Sequence, residues 1–125
     1  PPLSRDRVPE AFAQADVLVQ PSENENFGFS VAEALAAGRA VVAGPTNGTL
    51  EYAGAAGFGF DAYRPDSVAA AMERALVAVR TKGGELSREA RAAAMTHFDP
   101  ANVVTRFEET CRTLLAERSG VRSPA

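Results

Sequence analysis

Two carboxylates, Glu25 and Glu33, stand eight positions apart across a change from polar to helix-forming residues at Phe27-Gly28-Phe29. An apolar run, Asp16-Val-Leu-Val-Gln20, precedes them, and a run rich in good helix formers follows to Ala37, ending at Gly38. The order reads as strand, polar loop, helix. At such a junction the first amides, around Gly28 to Val31, lack an intrahelical acceptor and lie at the positive end of the helix dipole. An anion, most commonly phosphate, is favoured there. Gly28 removes a side chain where a ligand must come close to backbone. Glu33 is one turn in from Phe29, and helical side chains lean toward the N-terminus, so its carboxylate can reach back to that end. A carboxylate repels phosphate, which fits Glu33 to ligand hydroxyls such as a ribose diol. Glu25 approaches the same place from the loop. The plain alternative is that Glu33 faces solvent and that Glu23 and Glu25 are ordinary loop charges ahead of a helix. Residue chemistry by itself leaves both readings open.

The elements needed to position this loop are legible along the chain. Val8, Phe12 and Ala15 recur at helical spacing, with Pro9 tolerable in a first turn. The runs at Asp16 to Gln20 and Ala40 to Ala43 are apolar without alternation, as in strands covered on both faces. Gly38 is placed for a left-handed helix cap. After the turn cluster Gly44-Pro-Thr-Asn-Gly48 come a short helix at Thr49 to Tyr52 and a third strand at Gly57 to Phe60. Beyond Pro65 the pattern is helical. Val68, Met72, Ala75, Leu76 and Val79 make one face, Gly83-Gly84 closes that helix, and a second runs from about Leu86 to Met95. Asp99-Pro100 is an N-cap and N1 pair for a last helix with Val103, Phe107, Cys111 and Leu114 on one stripe. Strands alternating with helices predict an α/β class with a Rossmann-like parallel sheet and flanking helices. Three strands are few for such a sheet. Pro1-Pro2-Leu3 also lacks an initiator Met, so the chain is expected to be part of a longer one.

Composition narrows the function classes. With 125 residues, the chain is expected to form one domain, over 1–118, followed by a flexible tail at 119–125. A net charge of -3 with scattered Lys and Arg offers no basic stripe for nucleic acid. The lone Cys111 makes no disulfide framework and reads as a small core residue. No apolar run reaches the length of a membrane span, and the expected setting is cytoplasmic. No metal site and no cofactor are expected. The single His97 comes without ligand spacing, and Tyr52 and Tyr63 have no partner pattern.

Pro21-Ser22, Glu25-Asn26-Phe27-Gly28, Glu33-Ala34-Leu35-Ala36-Ala37-Gly38 and Val41-Val42-Ala43 together resemble retaining glycosyltransferases of the GT-B fold. The particular likeness is to family 4, with its two glutamates separated by seven residues. Asn47-Gly48 with Glu51 behind it, Gly57-Phe58 and Phe98 continue the match. The resemblance implies two Rossmann-like domains facing across a cleft, with this chain the later part of the C-terminal, donor-binding one. Glu33 would then bind the ribose of a nucleotide diphosphate sugar. Glu25, the candidate catalytic residue, would contact hydroxyls of the transferred sugar near the reacting centre. Asn26, Phe27, Gly28, Phe29 and Ser30 would hold sugar hydroxyls and the distal phosphate through backbone amides. Three departures accompany the match. Ala40 stands where the family often has Pro, Asn47-Gly48 replaces Gly-Gly, and the cationic pair that neutralises the diphosphate is expected upstream. The N-terminal acceptor domain is likewise expected to be missing, the acceptor is unknown, and the piece alone is expected to be inactive. No Asp-x-Asp triplet occurs, which argues against the metal-dependent GT-A mode. The alternatives are a non-catalytic donor-like binding module and another GT-B enzyme, such as a nucleotide-sugar epimerase.

Overall fold

The computed structural model describes residues 3–120. Two four-residue apolar runs nucleate its sheet. Strands β1 (Val17–Gln20) and β2 (Ala40–Ala43) pair in parallel, Val17 opposite Ala40 and Gln20 opposite Ala43. Strand β3 (Gly57–Gly59) pairs in parallel with the other side of β2, with Val42 opposite Phe58. The order β1-β2-β3 puts the carboxyl ends of all three strands along one edge. This is the Rossmann-like parallel sheet expected from the sequence. Phe60, expected in the third strand, lies just past it, buried, with its amide on the Ala43 carbonyl at 3.3 Å.

All four residues of β2 are buried, and they face two different layers. Val41 belongs to a core with Val31, Leu35, Leu86, Ala90 and Ala94. Val42 belongs to one with Phe60, Ala71 and Ala75. A strand covered on both sides needs no polar alternation, and β2 shows none.

Helix α1 (Val8–Gln14) leads into β1, and α2 (Phe29–Ala36) joins β1 to β2. The end of α2 is fixed by Gly38 at φ 77. Its amide bonds the Leu35 carbonyl at 2.8 Å, while Arg39 N reaches back to Ala34 O at 2.9 Å. That pair of bonds is the Schellman cap, and it sets the sharp return into β2. The short helix expected at Thr49 to Tyr52 is a 3-10 turn over Gly48–Tyr52.

Helix α3 (Pro65–Phe98) is continuous in its labelling but broken at Gly83, at φ 30 and ψ -100. The expected division into two helices therefore falls where Gly83-Gly84 predicted it. Its consequence is architectural. The half before the break supplies Ala71 and Ala75 to the Val42 face, and the half after it supplies Leu86, Ala90 and Ala94 to the Val41 face.

Two expected helix faces need correction. In the first half of α3 the buried residues are Ala71 and Ala75, with Val68 and Val79 half-buried, while Met72 and Leu76 are exposed. The helix lies close on a narrow sheet, so small alanines take the contact and the longer side chains turn to its margin. The second correction concerns α4 (Pro100–Gly120). Its cap forms as expected, Asp99 Oδ1 accepting from Ala101 N at 2.9 Å and Asn102 N at 3.4 Å. Its apolar stripe is not core: Val103, Phe107 and Leu114 are exposed at 44%, 69% and 55%. Cys111 is only half-buried, so it is no core residue either. Periodicity reports an amphipathic face, but not whether a partner covers it. Of the expected tail, residues 121–125 lie outside the described residues, as do residues 1–2.

Candidate functional site

The loop between β1 and α2 crosses the carboxyl edge of the sheet, and it is tied down from both sides. Tyr63 Oη donates to the Ser22 carbonyl at 2.8 Å, and Thr46 Oγ1 donates to the Glu23 carbonyl at 3.1 Å. Further along, Gly48 N donates to Asn26 O at 3.3 Å and Thr49 N to Phe27 O at 2.9 Å. The Thr49 hydroxyl also donates to Phe27 O. The loop is thus held against the turn that follows β2.

Within this frame Glu25 has a fixed place. Its Oε1 accepts from Gly28 N and its Oε2 from Gln20 Nε2, each at 2.9 Å. Gly28 is the N-cap residue of α2 and adopts φ 84, a left-handed conformation that favours glycine. A Cβ at this position would also collide with the Asn47 side-chain amide. The neighbouring chain therefore demands glycine here, in addition to any ligand.

The amides at the start of α2 divide differently from the expectation that those from Gly28 to Val31 are all open. Gly28 N is occupied by Glu25, and Val31 N and Ala32 N both bond Gly28 O, at 3.0 and 3.1 Å. The two amides left without an intrahelical acceptor are those of Phe29 and Ser30. They sit at the positive end of α2, where an anion is favoured.

Glu33 projects from an exposed position one turn into α2. It lines a cavity of about 710 Å³ whose other walls are Phe27, Phe29, Tyr52, His97 and Phe98. The rings are packed edge to face, Phe27 on Phe29 at 5.0 Å and on Phe98 at 5.6 Å, while Tyr52 tilts over His97 at 4.8 Å. Arg106, from α4, closes one side and donates to the His97 carbonyl at 2.6 Å, capping α3. On its other flank Glu33 borders a smaller hollow of about 340 Å³ formed with Arg5, Val8 and Phe12. Glu33 is thus a hydrogen-bond acceptor beside apolar walls, able to take hydroxyls of a ligand whose flat part rests on rings. Among the described residues no cluster of His, Cys, Asp and Glu could hold a metal ion. None of the described helices is long and apolar enough to cross a membrane.

Sequence reasoning placed Glu25, Gly28 and Glu33 at one helix start, and the structure brings them there. Asn26 and Phe27 lie in the same loop, but their carbonyls serve the contacts to Gly48 and Thr49. Phe29 is 74% exposed, with its ring against Phe27. Gln20, Tyr52 and Tyr63 were not anticipated in any role, and Asn47 was anticipated only as part of the turn that matches the family. A signal existed for Gln20: it is an amide ending an otherwise apolar, half-buried strand.

Residues 1–92 match the family described as glycosyl transferases group 1. The chain belongs to that family. Among similar proteins is the D-inositol 3-phosphate glycosyltransferase of Acidothermus cellulolyticus, 37% identical over 122 residues, which are 94% of this chain and 26% of that protein. That of Streptomyces griseus is 39% identical over 77 residues, 59% of this chain and 16% of the relative. A third, from Xylanimonas cellulosilytica, is 46% identical over 48 residues, 38% of this chain and 12% of the relative. The chain therefore spans about a quarter or less of the length of these relatives.

Proposed function

We propose that this chain is the donor-binding part of a retaining glycosyltransferase of the GT-B, family 4 type, taking a sugar from a nucleotide diphosphate sugar. The observation that carries the reading is the pairing of Glu25, hydrogen-bonded to the N-cap amide of α2, with Glu33 one turn further along the same helix. Glu33 accepts the ribose hydroxyls, with the nucleoside against the aromatic walls beside it. The open amides of Phe29 and Ser30 receive the diphosphate. Glu25 accepts hydroxyls of the sugar being transferred.

In the step so arranged, the bond between the anomeric carbon and the diphosphate oxygen breaks. The acceptor oxygen bonds that carbon on the same face, and its proton passes to the departing diphosphate. The chain contributes positioning and charge stabilisation rather than a covalent intermediate, which needs neither metal nor cofactor. The acceptor domain and the diphosphate-neutralising cations belong to the rest of a longer polypeptide, in line with the share of its relatives that this chain spans. We place the reaction in the cytoplasm, where nucleotide sugars would be the donors.

The test is calorimetry against a panel of UDP- and GDP-sugars, followed by NMR of the product formed by the complete protein. The relatives' name makes D-inositol 3-phosphate the first acceptor to try. Donor binding and a product that keeps the donor's anomeric configuration are expected. An inverted product, or an epimerised free donor with no new glycosidic bond, contradicts the proposal.

A further inference from the structure

Behind Glu25 a line of side-chain amides runs across the carboxyl ends of β1 and β2. Thr49 N donates to Asn47 Oδ1 at 3.1 Å, Asn47 Nδ2 to Gln20 Oε1 at 3.0 Å, and Gln20 Nε2 to Glu25 Oε2 at 2.9 Å. The direction of this line is set at its far end. A backbone N–H can only donate, so Asn47 must offer its oxygen to Thr49 and its NH2 to Gln20. Gln20 must then offer its oxygen to Asn47 and its NH2 to Glu25. Turning either amide over would set oxygen against oxygen, or N–H against N–H. Asn47 is 4% exposed, so an unpaired group there would be costly.

We propose that Gln20 and Asn47 are positioning residues for Glu25, and that their one-way relay makes Glu25 an acceptor on both oxygens toward the transferred sugar. The inference rests on the donor reading given above and deepens it. A carboxylate has about four acceptor sites. Gln20 and Gly28 N take one on each oxygen, and the remaining two can serve only donors. The ligand class selected is a sugar that presents free hydroxyls to Glu25; a sugar whose hydroxyls at that point are absent or alkylated is discriminated against. Since both resting partners donate to it, Glu25 is set up to accept and orient rather than to deliver a proton.

Asn47→Asp separates this role from a structural one. The substitution keeps the size of the side chain and the oxygen that caps Thr49, but it removes the NH2 group. Gln20 then turns its own NH2 toward the new carboxylate and its oxygen toward Glu25. Binding of UDP-glucose and GDP-mannose, compared with UDP and GDP, is measured by calorimetry in wild type, in Asn47→Asp, and in Asn47→Asp combined with Gln20→Lys. In ligand-free protein, NOEs from the Gln20 side-chain NH2 to the Glu25 Hγ protons report the direction of the amide. The variant Asn47→Asp is expected to lose that NOE and to bind the sugar nucleotide about tenfold more weakly, with affinity for the bare nucleotide unchanged. The double variant, whose ammonium donates to both carboxylates, is expected to restore most of the loss. Wild-type affinity for the sugar nucleotide in Asn47→Asp, an equal loss for both ligands, or a persisting NOE overturns the proposal. Failure of wild-type protein to bind any sugar nucleotide instead overturns the donor reading, and with it the ligand side of the relay.

Discussion

Glu25 and Gly28 act as one unit, because the carboxylate occupies the amide of the residue whose backbone turns the chain into α2. Gly28→Ala asks an L-residue to hold φ 84 and drives a methyl group into the Asn47 amide. Left-handed backbone alone costs about 1–2 kcal/mol per residue. The variant is expected to lose more than about 1 kcal/mol, read from its urea midpoint, and to displace Glu25; an unchanged midpoint would contradict this geometry. The two carboxylates were legible in the sequence because their setting, between a strand end at Gln20 and a helix start at Phe29, is local. Gln20 and Asn47 were not, since they meet across 27 positions only when β1 and β2 pair. Tyr63 was invisible for the same reason, its bond to Ser22 O spanning 41 positions.

Some helix ends carry their own signals, although the second half of α3 runs on to Phe98, past the end expected near Met95. Gly38 closes α2 and Asp99 opens α4 through short-range bonds written in the local sequence. Asp99→Ala is expected to cost about 1 kcal/mol, with faster amide exchange in the first turn of α4 and no change in the sheet. Exchange unchanged in that turn would show that the cap is idle. Helix faces were less legible, because periodicity marks a stripe without naming what lies opposite. The residues Met72, Leu76, Val103 and Phe107 all fit a stripe and all are exposed. For the last of these, Phe107→Ser is expected to shift stability by no more than about 0.5 kcal/mol, as surface substitutions usually do. A loss of several kcal/mol would mean that α4 is packed in solution against something outside the described residues.

The whole molecule is a thin parallel sheet held together by its central strand. Both cores meet at β2, while β1 pairs on one side only among the described residues and its own residues are half-buried. Local opening should follow that gradient. Hydrogen exchange is expected to be slowest at Val41 and Val42 and fastest along α4, with β1 between them. Protection of β1 equal to that of β2 would show that the outer edge of β1 is covered. Fold class was legible because unbroken apolar runs alternate with helical ones. The wrapping of one helical element around both faces was not. It depends on the angle taken at Gly83, and the sequence marks a break there without giving its direction.

The division of labour between the two carboxylates is tested most directly by calorimetry of Glu33→Ala and Glu25→Ala against a nucleotide and the matching nucleotide sugar. If Glu33 holds the ribose, its loss weakens both ligands alike. A lost hydrogen bond to a charged group, at about 1.5–3 kcal/mol, corresponds to roughly a tenfold to hundredfold effect. If Glu25 holds the transferred sugar, its loss weakens the nucleotide sugar and leaves the bare nucleotide unchanged. Wild-type affinity of Glu33→Ala for both ligands would contradict the site as described.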